Sequence, residues 1–344
     1  MDLRGLMTTA IVITSIFEPT EAVKRYARLP GYQVVVVGDR KTPLSWSCEN
    51  VVFLPVDQQQ AIGQELHRLM PFDHYCRKML GYLYSMRNGA DLIVDTDDDN
   101  IPKADFGFPA LEGSFALVPK DKGYINIYAY FSDRKIWPRG LPLRYISSGT
   151  DFTAQLQHAS SQIGIWQGLA DEDPDVDAIY RLTDNTPCWF NPRPPVALGE
   201  GTLAPFNSQN TLVRRELFSL LYLPTHVTFR FTDILRGLVA QPIMWLYGYR
   251  VGFTQATVVQ KRNPHDYFKD FISEIPMYQH CEEVPDIVSA AISSSRSVPD
   301  NLYEAYVALE RRHIVDKREP EVLKAWLKAV GECRHSQRPS VAHE

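Results

Sequence analysis

Long apolar runs are missing from this sequence of 344 residues. A membrane-crossing helix needs roughly 18 to 20 consecutive apolar residues, and the longest apolar stretch, FTDILRGLVAQPIMWLYGY, is broken by Asp233, Arg236 and Pro242. No transmembrane segment is expected. The opening run is interrupted by Thr and Ser and followed by Glu18 and Pro19, so it reads as a buried strand and not as a cleaved leader. An excess of positive charge is also missing: 36 Lys and Arg stand against 41 Asp and Glu, which makes nucleic acid a poor expectation. Cysteine is sparse. Cys48, Cys76, Cys188, Cys281 and Cys333 are odd in number and form no C-x-x-C pair, so neither a disulfide framework nor a zinc site is implied, and a reducing cytoplasm suits them. No G-x-G-x-x-G follows the first strand candidate, and no Walker loop, G-x-S-x-G or H-E-x-x-H occurs, which leaves nicotinamide, P-loop, nucleophile-elbow and zincin chemistry without support.

What is present is an alternation of apolar strand runs and amphipathic helix runs, the pattern of a mostly parallel sheet covered by helices. Strands are expected at Ala10–Ile16, Gln33–Val37, Asn50–Leu54 and Asp91–Val94, and helices at Pro19–Leu29, Gln58–Met70 and His74–Asn88. Beyond Asn100 the pattern turns α+β, with short strands around Phe115–Val118, Tyr124–Tyr128 and Ile163–Gly168. A short helix at Glu216–Leu221, a longer one at Thr232–Tyr247 interrupted by Pro242, and a helical region over Asn301–Glu332 follow.

The strand Asp91–Val94 runs directly into acid. DLIVDTDDDN puts Asp95, Asp97, Asp98 and Asp99 at the carboxyl end of a buried strand, where open α/β sheets bind ligands. If the period of two persists, Asp95, Asp97 and Asp99 share one side, and three such carboxylates repel unless a cation sits among them. Mg²⁺ or Mn²⁺ is the natural counter-charge, using one or two carboxylates and leaving its other positions to water and phosphate oxygens. That points to a nucleoside diphosphate or similar ligand. An EF-hand loop starting at Asp95 fails, because its sixth and twelfth positions are Asn100 and Phe106. A phosphoaspartyl transferase would carry its Asp-x-Asp after the first strand of the domain, whereas two βα units come first here.

These residues stand within longer blocks. The segment VVGDRKTP, then YCRKMLGYLYSMRNGADLIVDTDDDNIP, IWQGLADEDPDVDAIYRLT, PPVALGEGTLAPFNSQNTL and VTFRFTDILRGLVAQPIMW resemble, in the same order, the STELLO-type glycosyltransferase-like family. The resemblance covers roughly residues 8 to 270 and implies an α/β fold of the GT-A nucleotide-diphospho-sugar type. It departs from the plant members, whose transmembrane anchor and extra carboxy-terminal domain are not matched. The expected division is a catalytic domain at 8–270, with a nucleotide-binding half (8–100) and an acceptor half (101–270), a helical extension at 271–332 and a disordered tail at 333–344.

On that fold, Thr14 and Ser15 at the end of the first strand and Asp39 at the end of the second would meet a nucleobase and ribose, joined by Lys41 and by Arg77 toward phosphate. Plain strand-end or surface turns are the alternative for Thr14, Ser15 and Asp39, and a solvated helix face for Arg77 and its neighbour Lys78. Asp97 and Asp99 are expected to hold the metal, Asp95 or Asp98 to contact ribose or support the loop, and His265 to approach the metal and diphosphate, as a late histidine does in several GT-A enzymes. An inverting transferase needs a carboxylate base on the acceptor side. Asp233 is the first candidate for that base and Asp177 the second, with a helix cap or an acidic helix start as the alternative for each.

The expectation is a metal-dependent hexosyl or pentosyl transferase that uses a nucleotide sugar, UDP-sugar favoured, with Mn²⁺ or Mg²⁺, and a glycan or other hydroxyl acceptor. Peripheral contact with a membrane stays compatible with it. A nucleotide-sugar mutase and a non-catalytic glycan- or partner-binding protein on the same fold are the rivals.

Overall fold

The computed structural model describes residues 7–147, 155–262 and 266–335. The first half is built from β1 (Thr9–Thr14), α1 (Glu21–Tyr26), β2 (Tyr32–Val37), β3 (Val51–Leu54), α2 (Val56–Gln59), α3 (Gln64–Leu69), α4 (Lys78–Arg87), β4 (Leu92–Thr96) and β5 (Asn100–Pro102). Next come β6 (Glu112–Val118), β7 (Gly123–Tyr124), α5 (Tyr128–Phe131), β8 (Gln157–Asp171), α6 (Ala178–Thr183), β9 (Val196–Leu198), β10 (Thr202–Leu203), β11 (Asn210–Arg214), α7 (Thr232–Leu246) and β12 (Tyr249–Gln260). Four helices end the described residues: α8 (Tyr267–His280), α9 (Val284–Ala291), α10 (Val298–Arg311) and α11 (Glu319–His335).

Ten strands form one sheet in the order β3-β2-β1-β4-β11-β8-β6-β9-β12-β5. The expected α/β class is what the structure shows. The pairs β3–β2, β2–β1 and β1–β4 are parallel, and β11 enters antiparallel beside β4. The remaining half mixes both directions, as in the parallel β8–β12 pair and the antiparallel β6–β8 pair. Helix α4 lies close against β1 and β2 because Gly81 has no side chain: a Cβ there would stand 2.5 Å from Val12 and 2.7 Å from Val37. This close approach fixes where Lys78, one turn earlier, enters the sheet.

Several elements differ from expectation for local reasons. The helix expected over Gln58–Met70 is two short helices, α2 and α3, parted at Gly63. The strand expected at Tyr124–Tyr128 ends at Tyr124, because the Asn126 side chain accepts from the Tyr128 N–H and starts a helical turn. The Glu216–Leu221 segment is a 3₁₀ helix, and α7 continues through Pro242. At the other end, Cys333 is buried within α11, which runs to His335, so residues 333–335 are helical and not part of the expected disordered tail. Residues 336–344 lie outside the described residues. Among the described residues, no helix is long and apolar enough to cross a membrane.

Candidate functional site

The carboxyl ends of β1, β2 and β4 share one edge, since Thr14 pairs with Val37 and Val12 with Asp95. Two cavities open there, of about 200 and 420 Å³, and they share Thr14, Phe17, Tyr75, Asp98 and Phe229 in their walls. The smaller one brings together Thr14, Ser15, Asp39, Lys41, Arg77 and Asp98. Asp97, Asp98, Asp99 and Asp233 line the larger, together with Arg139, Asp175 and Arg230.

In the smaller cavity the wall is tied down by hydrogen bonds. Ser15 donates its hydroxyl to Asp98, Thr20 donates to the Asp98 carbonyl at 2.6 Å, and Thr42 donates to the Ser15 carbonyl at 2.7 Å. The Asp39 carboxylate accepts from Arg40 N at 2.7 Å, and Lys41, largely exposed, reaches Asp73 at 3.6 Å. Arg77 is fully buried: its Nε donates to Gln59 Oε1 at 2.9 Å, its plane lies 4.1 Å from the Phe72 ring centroid, and its Nη1 has no partner. Gln59 in turn donates to the carbonyls of Gly38 and Leu54, which fastens the ends of β2 and β3 to Arg77.

The acidic motif is arranged differently from a continued strand. β4 stops at Thr96, and Asp97–Asp99 form a turn closed by Asn100 N donating to the Asp97 carbonyl at 3.3 Å. Asp95, still within β4, points inward and lines neither cavity. It is fully buried, accepting from Lys78 Nζ at 2.9 Å and Arg236 Nη1 at 2.7 Å. Burial would raise its pKa, but those two cations outweigh it and hold it below the usual value. Asp97 is pushed up to about 6 by burial and by Asp99, against the pull of Lys78. Burial also pushes Asp98 up to about 6, opposed by the Ser15 hydrogen bond, and Asp99 up to about 6, opposed by the one from Gln260.

Whether the turn suits a hard divalent ion can be judged from its free oxygens. Asp99 Oδ1 is buried without a partner, and Lys78 engages Asp97 through Oδ1 alone. Two carboxylates facing one cavity fit Mg²⁺ or Mn²⁺, which complete their shells with water and phosphate oxygens. Among the described residues no three His, Cys, Asp or Glu side chains converge into a fuller site. His265 lies outside the described residues.

Neither expected base is free to act as one. Asp177 is fully buried away from both cavities and caps α6, accepting from Tyr180 N at 2.9 Å and from Trp137 Nε1 at 2.8 Å. Burial pushes its pKa up to about 6, but the carboxyl serves the helix start and not the cavity. Asp233 lines the larger cavity in the first turn of α7, yet both oxygens accept from Arg139, at 3.0 and 2.9 Å, and Ser208 N adds a third bond at 3.2 Å. Against burial, Arg139 holds its pKa below the ordinary value, which makes it a poor proton acceptor. Arg139 also grips Asp175 with two bonds of 2.8 Å, so a guanidinium between two carboxylates forms one wall of the larger cavity. Gln59, Tyr75, Arg139, Phe229 and Arg236 were not singled out as site residues in the sequence. Asp175 stood in the acidic run and Arg236 in DILRG, but nothing local marked their partners.

Residues 230–336 match the family described as STELLO glycosyltransferases. The curated "Probable glycosyltransferase STELLO1" of Arabidopsis thaliana is 28% identical over 345 aligned positions, covering 93% of this chain and 44% of that protein. "Probable glycosyltransferase STELLO2" of the same plant is 31% identical over 271 positions, covering 72% and 35%. The STELLO-type resemblance holds. This STELLO-type chain spans less than half the length of those two relatives. The solved structure of M. tuberculosis glucosyl-3-phosphoglycerate synthase covers 83% of the chain and 82% of its own at 8% identity and a TM-score of 0.35, a likeness too slight to carry a residue role.

Proposed function

We propose that this STELLO-type chain is a GT-A-type glycosyltransferase. It takes a sugar from a nucleoside-diphosphate sugar, UDP-sugar favoured, and passes it to a hydroxyl of a glycan or other acceptor, with Mn²⁺ or Mg²⁺ at Asp97 and Asp99. The observation that carries this reading is the pair of joined cavities at the carboxyl edge of β1, β2 and β4, with the acidic turn at their junction.

In the reaction, the bond from the anomeric carbon to the diphosphate oxygen breaks with its electron pair leaving on that oxygen, a bond from the acceptor oxygen to that carbon forms, and the acceptor proton passes to the departing diphosphate or to water. The bound ion supplies charge neutralisation to the departing diphosphate. Ser15, Asp39 and Arg77 serve the nucleoside side. Arg139, fixed between Asp175 and Asp233, and Arg230 line the side where sugar and acceptor meet. Asp233 is assigned to orienting Arg139 and not to taking the proton.

A thermal-shift screen of nucleotide sugars with and without Mn²⁺ tests the reading. A UDP-sugar at a hundredfold excess over its Kd stabilises by about 2.7 kcal/mol, which raises Tm by about 3 to 4 °C in a chain of this size. No rise with any nucleotide sugar sinks the proposal, and isomerisation of the donor without an acceptor makes the protein a mutase.

A further inference from the structure

A cation is already present among the acidic residues. Lys78, the first residue of α4, is fully buried, and its ammonium makes three hydrogen bonds: to Asp95 Oδ1 at 2.9 Å, to the Thr96 carbonyl at 2.8 Å and to Asp97 Oδ1 at 2.8 Å. Those bonds use all three of its protons. The other oxygen of Asp95 is taken by Arg236, so Asp95 offers nothing to the cavity and Asp97 is the member of the bridge that faces it. The root of Lys78 is held by α4, which Gly81 seats against Val12 and Val37.

We propose that Lys78 is a built-in counter-cation of the acidic turn and a positioning residue for Asp97. It holds Asp97 by one oxygen, presents the other to the cavity, and lowers the negative potential that a dication meets there. The turn then takes up its ion weakly by itself, and firmly only when a diphosphate adds oxygens and charge. This inference rests on the metal-assisted reading above.

Two cations, Lys78 and Arg236, already stand against the four carboxylates of DTDDDN. Like charges at such separations weaken each other's binding, and more strongly where water is excluded. Removing the ammonium alone should therefore strengthen divalent-ion binding, whereas removing a residue that merely braces the turn would weaken it or leave it unchanged.

The test is Mn²⁺ binding to the full chain, read from the electron paramagnetic resonance signal of free Mn²⁺ and from thermal melting, each with and without UDP. Wild type should take up Mn²⁺ weakly alone and at least about tenfold more tightly with UDP. Without UDP, Lys78→Met should bind Mn²⁺ at least about tenfold more tightly than wild type and gain more in Tm from the ion. Lys78→Arg, which keeps the charge, should behave as wild type. Equal Mn²⁺ affinity of wild type and Lys78→Met without UDP overturns the inference. If Lys78→Met does not fold, tight micromolar Mn²⁺ binding by wild type without UDP overturns it as well. Failure of wild type to take up Mn²⁺ even with UDP overturns both this inference and the metal-assisted reading. Uptake with UDP but no difference between the variants overturns this inference alone.

Discussion

Asp97, Asp98 and Asp99 are three adjoining carboxyls, each pushed up to about 6. A folded-state pKa raised above the unfolded value means that the folded chain binds the proton more tightly. The cost to stability is thus full above pH 6 and relieved as pH falls toward the ordinary carboxylate range. Lowering pH from 7.5 to 5.5 should raise the contribution of this turn to ligand-free stability and shrink the rise in Tm caused by Mn²⁺, because protons and the ion compete for the same oxygens. Asp99→Asn should fold, melt no lower than wild type at pH 7.5, and lose Mn²⁺-dependent stabilisation by UDP. Melting curves at the two pH values check all three expectations. An unchanged Mn²⁺ effect in the variant removes Asp99 from the ion site.

Helix α6 illustrates how an element claims a residue that chemistry could otherwise use. In DPDVDAIYR, Asp177 read either as the second candidate base or as part of an acidic helix start, and the structure spends it on the cap. Replacing it leaves Tyr180 N and Trp137 Nε1 without their acceptor. Asp177→Ala should lower stability by about 1 to 2 kcal/mol, the usual cost of a lost cap, while nucleotide-sugar affinity stays as in wild type. Chemical denaturation and calorimetry on one sample measure both. A variant that is as stable as wild type but has lost donor binding would return Asp177 to the site.

The boundary at residue 270, where the resemblance ends and a helical extension was expected to begin, cuts through one packed core. Glu274, within the segment read as an extension, is fully buried and holds both Arg230 Nε at 2.9 Å and the first N–H of α6, Ala178 N, at 2.7 Å. Glu319 at the start of α11 accepts from Thr225 N and His226 N, each at 2.8 Å, and Trp326 donates to the Ser219 carbonyl at 2.8 Å. Trp326, Met277 and Val288 belong to the same apolar core as Val12, Leu80 and Leu235. A chain ending at residue 270 should therefore lose cooperative unfolding, since it bares that core and takes Glu274 away from the buried Arg230. A sharp melt of the truncated chain, with UDP still bound, would show the catalytic half to be independent.

Local pattern was enough for the parallel strands, whose Val- and Ile-rich runs and flanking turns are short-range signals, and for the acidic strand end. The fold that the resemblance implies was needed to name Thr14, Ser15, Asp39, Lys41, Arg77 and Asp98, which line one cavity because the ends of adjacent parallel strands lie on one edge. Strand β12 was missed although YRVGFTQATVVQ carries β-branched residues, since its partners β8 and β9 lie far away in sequence. Partner choice was beyond the sequence altogether. Alternation placed Asp95 beside Asp97 and Asp99, but a strand keeps its period of two only while its neighbours continue to pair, and pairing of β4 ends at Thr96. The cation that answers Asp95 is Lys78, supplied by a helix packed across the sheet, and the one that answers Asp233 is Arg139, which precedes it by 94 positions. Burial makes each carboxylate need a counter-charge, and only the packed chain decides which side chain arrives to provide it.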